Sequence, residues 1–195
     1  MKKMKAVAFN GSARKDGNTA ILLNLVLDEL REEQVETEMI QMAGEKISGC
    51  IACYQCLKNK DGKCAVKTDR VNEYIQKMRE ANAILLGSPV YVADITANMK
   101  ALLERATLVC RANGTDMFKR KLGAAVVAVR RAGAIQAFSA LNNFFLISQM
   151  IVVGSTYWNV GIGRNVGEVK NDHEGVQTMK ALGSNMAWLL KKIAG

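Results

Sequence analysis

The chain has 195 residues and a mass of 21.3 kDa, a length that fits one domain with a full hydrophobic core. Hydrophobic residues make up 49% and charged residues 23%, which is ordinary for a soluble globular protein, and no segment is apolar for long enough to span a bilayer. The formal net charge is +9, but Lys and Arg are scattered without interleaved aromatic residues, so nucleic acid is not the expected partner.

Apolar runs and helical periods alternate along the chain. The pattern predicts strands over 5–9, 35–42, 83–86, 123–129 and 151–155, and helices over 18–33, 68–81, 96–110, 134–149 and 174–193. Every strand except the second is continuously apolar, which is typical of strands buried on both faces of a parallel sheet. The order predicts one α/β domain over residues 1–195, a doubly wound five-stranded parallel sheet with helices on both faces. Its ligand is expected beyond the carboxyl ends of the strands.

The loop after the first strand, residues 11–19, has the composition of a phosphate cradle. A helix that begins near Asn18 presents unpaired N–H groups and the positive end of its dipole. Ser12, Asn18 and Thr19 can add side-chain donors, and Arg14 can add positive charge. The spacing fits neither the triphosphate-binding motif nor the dinucleotide fingerprint. We therefore predict a site for a phosphate monoester, with a plain turn capped by Asn18 as the alternative.

Four cysteines are crowded into the loop at about 47–67: Cys50, Cys53, Cys56 and Cys64. Two successive C-x-x-C steps place three thiols close together, which suits a cluster of several iron atoms. A structural zinc site more often uses two separated C-x-x-C pairs. The spacing therefore indicates an iron–sulfur cluster, and a zinc site or a redox-active thiol pair remain as alternatives.

The short apolar run near the start of the chain, the crowded thiols and the single histidine indicate the cellular compartment and exclude one class of reaction. The apolar run 6–9 is too short for a signal peptide, and a loop rich in thiols favours a reducing cytoplasm. His173 is the only histidine, so a hydrolase centred on histidine is not expected. The remaining cysteine, Cys110, ends an apolar helical pattern and is predicted to be a small buried side chain.

The loops after the third and fourth strands also carry candidate binding residues. Pro89, Tyr91 and their apolar neighbours suit a wall for a flat heteroaromatic ring. Gly133 permits a close backbone approach after the fourth strand, and Arg131 is placed to meet an anion. A solvated basic turn is the alternative for the arginines at 130 and 131.

Three motifs resemble the NADPH-dependent FMN reductase family of flavodoxin-like proteins. They are Gly11-Ser12-x-Arg14-x-x-Gly17-Asn18-Thr19, Gly49-Cys50-x-x-Cys53-x-x-Cys56, and Ser88-Pro89-Val90-Tyr91 followed by Asn98-Met99-Lys100-Ala101. Within the family, the chain is most similar to the iron–sulfur flavoprotein branch. The resemblance implies a flavodoxin-like fold and an FMN-dependent oxidoreductase. Because the flavin carries the chemistry, no separate catalytic residue is expected.

The resemblance also implies where each cofactor would lie. The FMN phosphate would be held by Ser12, Arg14, Asn18, Thr19 and Ala20. The isoalloxazine ring would lie against Pro89, Val90, Tyr91 and Val92, with Arg131 and Gly133 closing the site. A [4Fe–4S] cluster would be ligated by Cys50, Cys53, Cys56 and Cys64. The resemblance further implies a homodimer or homotetramer in which the cysteine loop of one subunit approaches the flavin of another.

Several functions remain open at this point. The first is an FMN oxidoreductase that takes electrons from NAD(P)H, either with the cluster or as a plain FMN or quinone reductase without it. The second is an electron-transfer flavoprotein that exchanges electrons with a ferredoxin or another carrier, for which a basic face would suit an acidic partner. The third is a thiol or zinc sensor.

Overall fold

The computed structural model describes residues 4–114 and 117–194. The strands are β1 (Lys5–Asn10), β2 (Glu36–Gln41), β3 (Ala83–Pro89), β4 (Leu122–Val129), β5 (Ile151–Val152) and β6 (Val160–Ile162). The helices are α1 (Asn18–Glu32), α2 (Gln55–Asn59), α3 (Val71–Glu80), α4 (Ala97–Ala112), α5 (Ala134–Ile147) and α6 (His173–Ala194), with a 3₁₀ turn at Glu168–Asn171. No helix within the described ranges is long and apolar enough to cross a membrane.

All strand pairs in the sheet are parallel, in the order β2-β1-β3-β4-β5, as the flavodoxin-like α/β expectation requires. The fifth position is divided between two short strands. β5 pairs with Leu122 and Gly123 at the start of β4, and β6 pairs with the last three residues of β4. A strand was predicted over 151–155, but β5 ends at Val152, and β6 was not predicted. A three-residue strand carries too little alternation to stand out from a loop.

The strands are buried on both faces, which explains their continuous apolar pattern. In β1, Val7 and Phe9 pack into a cluster with α3, α4 and α5, while Ala6 and Ala8 pack into a second cluster with α1 and α6. The small alanine side chains let α1 lie close to the sheet. This two-sided packing confirms the doubly wound arrangement and brings all the strand-to-helix loops to the carboxyl edge.

Asn159 fills the gap in the divided edge strand. Its backbone carbonyl accepts the N–H of Val127 at 2.9 Å, and its side-chain Nδ2 donates to the Ala125 carbonyl at 3.0 Å. The Ser155 hydroxyl donates to Asn159 Oδ1 at 2.6 Å. In the gap between β5 and β6, the buried Asn159 amide therefore replaces a hydrogen bond that a continuous edge strand would make to β4.

Replacing Asn159 with alanine should leave the Ala125 carbonyl without its side-chain donor in the interior. We expect Asn159→Ala to lower the free energy of unfolding by about 1 to 3 kcal/mol, measured by chemical denaturation. Asn143 is exposed on α5, and Asn143→Ala should change it by less than about 0.5 kcal/mol. Equal effects of the two changes would contradict the role given to Asn159.

Candidate functional site

Hydrogen bonds join the loops after β1 and β3 at the carboxyl edge of the sheet. The N–H of Gly11 donates to the Gly87 carbonyl at 2.8 Å, and the Thr96 hydroxyl donates to the Gly11 carbonyl at 2.8 Å. Thr96 also caps α4 by accepting the N–H of Met99, while its own N–H donates to the Ser88 hydroxyl. Thr96 is thus a positioning residue that sequence reasoning missed, although a threonine before an apolar helix is a typical cap.

Asn10, at the end of β1, shapes the loop that follows. Its buried side chain donates from Nδ2 to the carbonyl of Lys15 at 3.2 Å and accepts the N–H of Ser12 at 3.1 Å. The Ser12 hydroxyl in turn accepts the N–H of Arg14 at 3.1 Å. These bonds turn the chain back toward the start of α1. Asn10 lies one residue beyond the predicted strand 5–9, and its role in the loop was not predicted.

The amino terminus of α1 has no side-chain cap. Gly17 occupies the capping position in extended backbone, and the first helical turn contains no acidic residue. The first N–H groups of a helix have no partner within the helix. Three of the predicted residues, Asn18, Thr19 and Ala20, supply these groups, so the site fits an anion such as a phosphate.

The side chain of Asn18 is engaged by the loop after β6 and not by the proposed anion site. Its Nδ2 donates to the carbonyls of Gly163 and Asn165, and its Oδ1 accepts the N–H of Gly167 at 2.8 Å. Asn18 therefore fastens the loop after β6 to the start of α1. Its backbone N–H is the group that remains for an anion.

A tight turn follows Pro89 at the end of β3. Tyr91 and Asp94 exchange two backbone hydrogen bonds, and the two residues between them have positive φ, 50° for Val92 and 58° for Ala93. A β-branched residue rarely adopts this conformation. The Val92 side chain is fully exposed at the tip of the turn.

The loop after β4 lies directly against this turn. Gly133 has φ +85°, and a Cβ there would lie 2.9 Å from Ala93 Cα and 3.1 Å from Val90 Cγ1. Glycine is thus needed both for its conformation and for the close approach. The structure brings Pro89, Val90 and Gly133 to one part of the carboxyl edge. Arg131 lies on the same loop as Gly133 and is exposed.

The four crowded cysteines converge on one small cavity, which is also lined by Arg105. The loop is irregular apart from α2, a short helix that was not predicted and that carries Cys56 in its first turn. Cys56 is buried, and its burial is the main reason that its thiol pKa is raised, with the nearby Cys64 and Cys50 adding to the effect. Cys53 is exposed, and the other two are intermediate.

The geometry of these thiols differs from that of a compact ion site. The four loop cysteines lie in the described ranges, and all four are free thiols. Those ranges contain no group of three or more His, Cys, Asp or Glu side chains placed to hold a metal ion. The four cysteines instead line one shared cavity, and a multi-iron cluster distributes its ligands over several metal atoms. The donor set therefore fits a cluster in its chemistry.

Cys64 is held on three sides by polar contacts from α3 and α4. The Asn72 side chain accepts the Cys64 N–H at 2.7 Å and donates to its carbonyl at 2.9 Å. Arg105 donates from Nε to the Cys64 Sγ at 3.3 Å. Arg105 is buried and paired with Asp69. Burial alone would raise the pKa of Asp69. The hydrogen bonds to its carboxylate, of which that from Arg105 has the largest effect, lower the pKa by more, so the carboxylate stays ionised.

The chain matches one family model and relatives that align over nearly its whole length. The family model for NADPH-dependent FMN reductase matches residues 4–165. An iron–sulfur flavoprotein of Methanocaldococcus jannaschii is 38% identical over 97% of this chain and 99% of the relative. An iron–sulfur flavoprotein of Methanosarcina thermophila is 31% identical over 97% of each chain.

Solved structures show the same fold at low sequence identity. RosB with its bound intermediate 8-demethyl-8-formylriboflavin-5′-phosphate has a TM-score of 0.74 at 21% identity, over 97% of this chain and 81% of RosB. A flavodoxin from the domain Archaea has a TM-score of 0.62 at 18% identity, over 96% of this chain and 99% of that chain. These likenesses confirm the flavodoxin-like α/β fold.

The family match, the full-length relatives and the fold together confirm the resemblance drawn from the three sequence motifs. They support an FMN-binding, flavodoxin-like oxidoreductase. The chain belongs to the NADPH-dependent FMN reductase family, in its iron–sulfur flavoprotein branch.

Proposed function

We propose that this protein carries both FMN and a [4Fe–4S] cluster and moves electrons between NAD(P)H or a ferredoxin and an acceptor. The observation that carries the proposal is the convergence of four thiols on one cavity in a chain of an FMN-binding family. The proposal is also supported by two relatives that align over nearly their whole length, because both are named iron–sulfur flavoproteins.

The flavin site is proposed at the carboxyl edge of the sheet. The uncapped start of α1 suits the FMN phosphate, through the backbone of Asn18, Thr19 and Ala20, and the Thr19 hydroxyl would add a side-chain donor. Ser12 and Arg14 would complete the cradle. Bound FMN supplies hydride and single-electron transfer, and the protein supplies orientation and charge.

The flat ring of FMN is proposed to lie against the turn after β3. Pro89, Val90, Tyr91 and Val92 would form one wall. Gly133 would bring the β4 loop close to the ring, and Arg131 on that loop would add positive charge. The contact between Gly133 and the turn supports this placement, because it brings the two loops together at one edge.

The cluster is proposed on Cys50, Cys53, Cys56 and Cys64. When bound there, it supplies a one-electron carrier close to the surface, since Cys53 is exposed. We also propose a cytoplasmic location, because thiols of this kind persist in a reducing compartment.

The partners follow from the exposed surface around the cysteine loop. Ile51 and Tyr54 on the loop, with Leu146 and Ile147 at the end of α5, are all at least half exposed. These apolar side chains support a homodimer or homotetramer in which this surface is covered.

The same loop offers a surface for an electron carrier. Four lysines on it are exposed, Lys58, Lys60, Lys63 and Lys67. The segment 57–67 contains one acidic residue, Asp61. This local positive charge supports an acidic electron carrier such as a ferredoxin as the other partner.

The proposed phosphate site predicts a specific loss of affinity. Thr19 is buried at the start of α1, and Thr19→Ala removes its hydroxyl. We expect the affinity for FMN to fall about tenfold, the value of one hydrogen bond to a charged group, in a fluorescence titration of the flavin-free protein. The affinity for riboflavin, which lacks the phosphate, should stay the same. An equal loss for both ligands would place the phosphate elsewhere.

The proposed cluster predicts that iron content depends on the loop cysteines and not on the fifth cysteine. Cys53→Ala should lose most of the iron that the wild-type protein binds after anaerobic reconstitution, because one ligand is missing. Cys110 is buried in α4 outside the cavity, so Cys110→Ala is the matched control and should retain its iron. Iron is measured together with zinc and FMN.

The outcomes separate the alternatives. Zinc in place of iron would favour the metal sensor. Flavin with neither metal would leave a plain FMN or quinone reductase. Loss of iron from both variants alike would contradict the assignment of the ligands.

A further inference from the structure

Arg105 is a cation in a part of α4 where the other inward positions are apolar. Its side chain is fully buried, and its neighbours along the inward face include Leu102 and Val109. Burying a charge in this way is costly unless every interaction is satisfied. The position therefore calls for an explanation beyond packing.

The guanidinium joins the two ends of the cysteine loop. Nη1 donates to the Ser48 carbonyl at 3.3 Å, just before the first cysteine, and Nη2 donates to the Val66 carbonyl at 3.0 Å, just after the fourth. Nη1 also pairs with Asp69, which itself accepts the N–H of Ser48. One side chain thus closes a loop of nearly twenty residues at its base.

The remaining contact reaches a thiol. Nε lies 3.3 Å from the Cys64 sulfur and donates its hydrogen to it. The backbone of the same Cys64 is fixed by two hydrogen bonds with the Asn72 side chain. Hydrogen bonds to the sulfur ligands of an iron–sulfur cluster and nearby fixed charge are two of the factors that set its reduction potential.

A structural ion pair is the simpler explanation for a buried Arg–Asp contact. Such a pair adds little net stability compared with apolar residues of similar size. An ion pair also does not account for three further hydrogen bonds of the guanidinium, which go to Ser48, Cys64 and Val66 in the cysteine loop. The pattern of contacts favours a role toward the loop.

We propose that Arg105 is a positioning residue that holds the cysteine loop closed for cluster binding and makes the bound cluster easier to reduce. The second part rests on the proposed function. A cluster gains one negative charge on reduction, and a buried cation beside one of its ligands stabilises that form.

The test compares Arg105→Gln with Arg111→Gln in the full chain. Both changes remove one positive charge from α4, but Arg111 is exposed at the end of the helix. Cluster reduction is followed by electron paramagnetic resonance during an anaerobic redox titration with dithionite. We expect Arg105→Gln to lower the equilibrium constant for reduction about tenfold, which is about 59 mV for a one-electron couple. The cluster potential of Arg111→Gln should equal that of the wild-type protein. The flavin potential should be unchanged in both variants.

The closed loop is tested separately in the metal-free protein. Hydrogen exchange of backbone amides over residues 48–66 should be at least about tenfold faster in Arg105→Gln than in Arg111→Gln, because the base of the loop is released. If the wild-type protein binds no iron, the proposed cluster and the tuning role fail together, and this measurement alone decides the positioning role.

A second variant guards against loss of folding. Arg105→Gln leaves Asp69 buried without its partner, whereas the double change Arg105→Gln with Asp69→Asn removes both charges. The double variant should show the same faster exchange, and its potential should lie between those of Arg105→Gln and the wild-type protein, because loss of the Asp69 anion partly offsets loss of the cation. An unchanged potential with an unchanged exchange rate in either folded variant would overturn the proposal.

Discussion

The buried guanidinium of Arg105 determines where the cysteine loop can lie. A charge in the interior must be paired and must have its hydrogen bonds filled, and here the carboxylate of Asp69 and the loop backbone meet both demands. The loop is consequently drawn onto α4 although it has little regular structure of its own. Its four cysteines line one cavity beside a helix that is itself packed on the sheet and that holds both ends of the loop through Arg105.

A second constraint places the proposed flavin site. In a parallel sheet all the strand-to-helix connections start at one edge, so residues far apart in sequence meet there. Thr96 and Asn10 turn this general property into a defined surface, because they hydrogen-bond the loops to one another and to the strands. The flavin and the cluster would then be carried by different parts of one chain, the first by the sheet edge and the second by α4 and its loop.

The sequence predicts the main strands and helices and the branch of the family, because the patterns that indicate them lie within short segments of the chain. Continuous apolar runs identify buried strands, and the crowding of four cysteines is visible without any structure. The missing parts depend on contacts between distant residues. Arg105 is 41 positions from Cys64, and Asn18 is more than 140 positions from the loop that it fastens. Likewise, β6 is recognisable only once Asn159 and β4 are in place beside it.

The most direct test of the account is the content of FMN, iron and acid-labile sulfide in the wild-type protein purified without oxygen, together with its visible spectrum. The account predicts one FMN per chain and about four irons with matching sulfide, seen as flavin bands with a broad shoulder. FMN without iron and sulfide would contradict the cluster. Protein that contains no FMN and takes up none when it is added would contradict the flavin site as well.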